Sequence, residues 1–122
     1  MTRLLGTAAL LLAVSACSKS QGLATIEEAE AFAKARGISL AGKTENTKQM
    51  MAPRAFEYSA GSSVEITVFQ FNSADAAKTY KTSMDDLPFG GETYVQNGHV
   101  VMSVYGGGDA DRQKVITALQ AP

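Results

Sequence analysis

The sequence predicts an α+β fold: a small antiparallel or mixed β-sheet with helices packed on one face. Three observations carry that expectation. Apolar residues recur at helical spacing in three separate segments, around Ile26, Ala77 and Ile116. Two short runs between the first two segments, Ala55 to Ala60 and Val64 to Phe71, alternate in the manner of strands. Asn97-Gly98 then joins two further β-rich runs, the strongest short-range signal for a hairpin.

The first helix opens at Thr25. Thr25 and Glu28 match a capping box, in which hydroxyl and carboxylate satisfy otherwise unpaired N–H groups. Ile26, Ala29 and Ala33 form its apolar stripe, with Phe32 beside it. Gly37 suits the residue after the helix, and Ile38 suits its apolar partner. Ser39 to Ala41 reads as a short strand, and the polar stretch Gly42 to Gln49 as loop or frayed edge strand. The runs at 55–60 and 64–71 form a hairpin about Gly61-Ser62-Ser63. In the second run Val64, Ile66 and Val68 share one face while Phe69 and Phe71 share the other, which calls for cover on both sides or a bulge.

Asn72 or Ser73 caps the second helix, whose buried stripe is Ala77, Tyr80, Met84 and Leu87; Pro88 and Gly90-Gly91 end it. Thr93 to Gln96 and His99 to Tyr105 pair across a type I′ loop at Asn97-Gly98, setting Val95 opposite Val100 and Tyr94 opposite Val101. Gly106 to Gly108 turn the chain. Asp109 caps a last helix with Val115, Ile116 and Leu119 inward. The order β-α-β-β-α from Val64 onward is compatible with a ferredoxin-like split unit, with the 55–60 strand at an edge.

Upstream of this domain the chain changes character. Arg3 is followed by an uncharged apolar run, Leu4 to Val14, then by Ser15, Ala16 and Cys17. The run is shorter than the roughly 20 residues a membrane span needs. It has the charged head, apolar middle and small-residue exit of a secretion signal. Val14-Ser15-Ala16-Cys17 resembles the lipobox of bacterial lipoproteins; Val14-Ser15-Ala16 also passes as an ordinary cleavage site after Ala16. In that family the cysteine sulfur is joined to a diacylglycerol, the peptide is cut before it, and the new N-terminus is usually acylated. The resemblance covers Met1 to Cys17 alone. It implies a signal peptide at 1–16, a lipidated N-terminus and tether at 17–22, and one α+β domain at 23–122. It implies a membrane anchor through lipid on Cys17. Ser18, where aspartate often marks inner-membrane retention in Gram-negative lipoproteins, leans toward the periplasmic face of the outer membrane.

Removing residues 1–16 from the 122-residue chain leaves enough for one domain with a modest core. Cys17 is its sole cysteine, so no disulfide braces the domain. Without Arg3 the acidic side chains outnumber the basic ones by two, with no basic block, which speaks against nucleic-acid binding.

Each candidate for chemistry has a plainer reading. His99 is a lone histidine, without the company a general base or metal ligand needs. Asp109 and Asp111 suit a helix start better than a cation, which wants more oxygens. Gly106-Gly107-Gly108 resembles an anion nest, but no Lys-Ser/Thr follows and two aspartates would repel an anion. Met50, Met51, Met84 and Met102 with His99 form a soft-metal set on paper, yet methionine is mostly core filler. Tyr58, Tyr80, Tyr94 and Tyr105 with Phe69 and Phe71 are a groove or a core. No catalytic, metal or cofactor-binding residue is assigned. The expectation is a non-enzymatic, membrane-anchored envelope domain that presents a surface or shallow groove to a protein or peptide partner, with pairing at an exposed sheet edge as one mode. The alternatives are a small-ligand binder with an aromatic-lined pocket and a hydrolase built on His99.

Overall fold

The computed structural model describes residues 22–87 and 92–120. Cys17 and its neighbours therefore lie outside the described residues, as do Pro88, Gly90 and Gly91. The elements are α1 (Ile26–Ala35), β1 (Ala41–Glu45), β2 (Arg54–Ser59), β3 (Val64–Gln70), α2 (Ala74–Asp85), β4 (Thr93–Asn97), β5 (Val100–Gly106) and α3 (Asp109–Gln120). The strands form one sheet in the order β1-β2-β3-β5-β4, antiparallel throughout. Among the described residues no helix is long and apolar enough to cross a membrane.

The α+β class and the antiparallel sheet are found as expected, with α1 and α3 layered on one face of the sheet and α2 on the other. Val64, Ile66 and Val68 of β3 join Tyr58, Val95, Val100, Met102 and Val104 beneath α1 and α3. Those helices contribute Ile26, Ala29, Ala33, Ile116 and Leu119. Side chains alternate along a strand, so Phe69 must point the other way. It does, meeting Phe71, Ala55, Tyr94 and Val101 under Ala77 and Tyr80 of α2. Thus β3 is covered on both faces, as its two apolar sets require. A ferredoxin-like split unit keeps both helices on one face. Here the strand neighbours β3-β5-β4 fit that unit, but α2 and α3 lie on opposite faces, so the ferredoxin-like arrangement is not realised.

The helix ends follow local chemistry. Thr25 Oγ1 accepts the Glu28 N–H at 3.1 Å, and Glu28 Oε1 accepts the Ala24 N–H at 2.7 Å, one residue before the usual box partner. The Gly37 N–H reaches Lys34 O at 3.0 Å and the Ile38 N–H reaches Ala33 O at 2.9 Å, a Schellman closure with Ile38 buried. Ser73, rather than Asn72, caps α2 by accepting the Ala76 N–H at 3.0 Å. Leu87 falls beyond the last turn of α2 and is 44% exposed, so it does not belong to the buried stripe. Asp109 does not cap α3. The Arg112 N–H bonds to Gly108 O, and the Asp109 carboxylate instead takes the Arg112 guanidinium at 2.5 Å.

The second hairpin differs by one residue from its sequence reading. Asn97 pairs with Val100, Val95 with Met102 and Tyr94 with Ser103, so the loop is Gly98-His99. Positive φ occurs at Gly98 alone, the pattern of a type II′ rather than a type I′ loop. Moving the loop by one residue shifts each partner by two, which keeps every side chain on its face. The apolar pattern therefore could not discriminate between the registers. The backbone of His99 is held instead: its N–H reaches Leu23 O at 2.7 Å and its C=O accepts from Phe71 N–H at 2.9 Å.

Candidate functional site

The region between α1 and β2, read as a short strand at 39–41 followed by loop or frayed edge strand, holds the edge strand β1 at Ala41–Glu45. Ala41 pairs with Ser59 and Thr44 with Glu57, so Gly42 and Lys43 together face Tyr58 in a β-bulge. Gly42 takes φ +67°, which a bulge of this kind asks of its first residue. The bulge aims Lys43 back across the sheet face at α1. Its Nζ lies 2.8 Å from Glu30 Oε2 and 4.7 Å from the Phe56 ring centre.

Tyr58 completes the arrangement from the floor. It is 3% exposed, and its hydroxyl donates to the same Glu30 Oε2 at 2.5 Å. Together with Lys34, Gly37, Ile38, Ser39 and Leu40, these three residues line a groove of about 620 Å³. That volume is within the range of small-molecule sites, roughly 300–1,000 Å³. Burial pushes the Glu30 carboxyl up, but hydrogen bonds from Lys43 and Tyr58 outweigh it and hold the pKa below its ordinary value. The Tyr58 phenol is pushed up, first by burial and then by its bond to the Glu30 carboxylate. At neutral pH the carboxylate is ionised and the phenol protonated, so the pair is poised for hydrogen bonding rather than proton exchange.

A second ion pair ties the start of α1 to β2. Arg54 Nη1 and Nη2 donate to Glu27 Oε1 and Oε2 at 3.2 and 3.0 Å, and Nη1 also reaches Gln70 Oε1 at 3.3 Å. The Arg54 hydrogen bonds lower the Glu27 pKa to about 2. Both Glu27 and Glu30 thus have folded pKa values below their unfolded ones. Their contribution to stability is present above the ordinary carboxylate value and is lost as pH falls through the folded values. The urea midpoint is expected to drop as pH falls from 4.5 toward about 2, the window set by Glu27, and to drop less in Arg54→Ala. Salt should shrink the difference, because this pair faces water. An equally steep acid drop in the variant would contradict the assignment.

The other sequence candidates are dispersed. Met102 lies in the core under α1 and α3, and Met84 packs against the core under α2, so the sheet separates them. Met50 and Met51 are exposed on the loop after β1, and His99 sits at the β4–β5 tip. Phe69, Phe71, Tyr80 and Tyr94 pack on one another rather than around an opening, and of the aromatics only Tyr58 lines the groove. Gly106-Gly107-Gly108 is a connector whose Gly106 and Gly107 carbonyls accept from Arg112. Asp109 is engaged by the same arginine. Among the described residues no three His, Cys, Asp or Glu side chains form a metal cluster. Glu30 and Lys43 had no local sequence signal. Tyr58 is 28 residues from Glu30, and Lys43 arrives through a bulge, for which Gly42 was the one available clue.

Compared with protein-family models, curated proteins and solved structures, the chain matches none.

Proposed function

We propose that this chain is a lipid-anchored protein of the bacterial cell envelope, fastened through Cys17, on the outer membrane where the cell has one. Its small non-enzymatic α+β domain binds a protein or peptide partner. The observation that carries the reading is the order of Arg3, the apolar run Leu4 to Val14, the small pair Ser15-Ala16 and Cys17. Support for the binding part comes from the groove between α1 and β1, where Lys34 stands at the rim and Glu30, Lys43 and Tyr58 are locked into one hydrogen-bonded set. A locked set suits recognition, because its geometry is organised before a partner arrives.

The bulge at Gly42-Lys43 and the charged Lys43 and Glu45 blunt the outer edge of β1 against strand addition. The groove, rather than the β1 edge beside it, is therefore the favoured contact. Its volume also supports a second reading, a small-ligand-binding lipoprotein, with Tyr58 as the one aromatic wall.

A photo-crosslinking residue at Lys34 of the full chain in intact cells distinguishes the two. The proposal expects a discrete protein adduct that is absent with the same probe at Asp75 and weakened by Lys43→Ala. Identical adduct patterns from both positions would contradict a protein or peptide partner at the groove. A rise in melting temperature on adding a small-molecule extract, without any protein adduct, would favour the second reading.

A further inference from the structure

Met50 and Met51 are large apolar side chains that neither core uses: they are 93% and 66% exposed. Their loop is nonetheless well organised. Asn46 Oδ1 accepts the N–H groups of Lys48 and Gln49 at 3.1 and 3.3 Å. Gln49 Oε1 accepts those of Met51 and Ala52 at 3.0 and 2.9 Å, and its Nε2 donates to Ala52 O at 2.9 Å. Ala52 is buried against the core under α2. Two side chains thus satisfy backbone groups from within, while the thioethers are left facing outward. A loop with its N–H groups already satisfied loses less on leaving water.

The position of this loop decides what it meets. Leu23 N–H bonds to Asn97 Oδ1 at 3.3 Å, and Leu23 O accepts from His99 N–H. His99 in turn joins Phe71, at the end of β3. The side chain of Gln70, the last residue of β3, accepts the Ile26 N–H at 2.8 Å and contacts Arg54, the first residue of β2. Leu23, the β4–β5 tip, the end of β3 and the 46–53 loop therefore share one end of the sheet. The 60–63 turn and Gly106 to Gly108 lie at the other. Five Cα steps separate Cys17 from Gly22, a reach of about 17 Å fully extended. A lipid on Cys17 would hold the Leu23 end of the sheet against the lipid layer.

We propose that Met50 and Met51 are a second membrane contact. Their side chains enter the interfacial region of the layer that holds the Cys17 acyl chains, with the exposed Lys48 beside them at anionic headgroups. The contact fixes which way the domain faces. The groove lined by Gly37 and Ile38, at the end of α1 remote from Leu23, then points away from the bilayer. This inference rests on the lipid-anchor reading.

The test uses the full acylated chain in vesicles of phosphatidylcholine and phosphatidylglycerol. With the Cys17 sulfur occupied, Met50→Cys supplies a single free thiol for an environment-sensitive fluorophore. Ala110→Cys, exposed at the start of α3 at the other end of the sheet, is the control. The Met50 probe should be blue-shifted and quenched several-fold more by spin-labelled lipids than the Ala110 probe. Equal quenching in a sample whose intact mass includes the acyl chains overturns the membrane contact and leaves the anchor standing. A mass without acyl chains overturns the anchor reading and this inference with it. A Met50 probe shielded in native membranes but fully wet in pure lipid vesicles overturns it in favour of a protein at that loop.

Discussion

Tyr80→Ala is expected to lower the unfolding free energy by about 3–5 kcal/mol, the range for removing a large buried aromatic. Tyr80 is the one large side chain that α2 buries fully in the sheet; its other buried residue is Ala77. The Tyr80 ring centre lies 5.0 Å from that of Phe69, 5.2 Å from Phe71 and 6.1 Å from Tyr94. Truncation leaves a cavity walled by three stiff rings that cannot close it by collapse. For a domain whose total stability is on the order of 5–15 kcal/mol, this is a large share. Tyr80→Phe keeps the ring and should cost much less. Urea unfolding of both variants checks the claim. A Tyr80→Ala domain within about 1 kcal/mol of wild type would mean that the core under α2 is not packed as described.

Gly106→Ala is the second large effect, and Gly61→Ala is its internal control. The two glycines have nearly the same backbone, φ +80° and +85°, so an added side chain pays a similar left-handed cost of about 1–2 kcal/mol at each. Their surroundings differ. A Cβ at Gly61 meets nothing within 4 Å, whereas at Gly106 it would stand 2.6 Å from the carbonyl oxygen of Ser63. That oxygen belongs to a turn in which Ser62 and Ser63 already take φ +53° and +65°, so the turn has little room to yield. Gly106 also pairs with Val64, at the end of the central β3–β5 ladder. Gly106→Ala should therefore exceed Gly61→Ala by about 2 kcal/mol or more, read as the difference in their denaturation free energies. Equal losses would show that the close approach of Gly106 to Ser63 does not limit the fold.

What was legible in the sequence was whatever local chemistry decides. The Thr25 cap, the Gly37-Ile38 closure, the 61–63 turn and the two apolar faces of β3 each follow from a few neighbouring residues, and each is found. What was not legible depends on partners distant in the chain. The β4–β5 register is set by backbone contacts of His99 with Leu23 and Phe71. The side of the sheet taken by α2 follows from Phe69 and Tyr94 meeting Tyr80, a tertiary choice that its own stripe does not encode. Leu87 fitted the helical period but lies past the end of α2. The groove was invisible for the same reason. Its Glu30, Lys43 and Tyr58 come from three elements, and only a bulge brings Lys43 into reach. The methionine pair was legible as a residue without a task, and the fold supplies its position.

The lipid on Cys17 underlies both the orientation proposed for the domain and the membrane contact proposed for Met50 and Met51. Intact mass of the membrane-extracted protein, wild type against Cys17→Ser, tests it most directly. The expected wild-type chain begins at Cys17 and carries the added mass of its acyl groups, and the variant lacks that modification. A wild-type chain beginning at Cys17 without added mass would contradict it, and would leave a secreted domain with a free thiol.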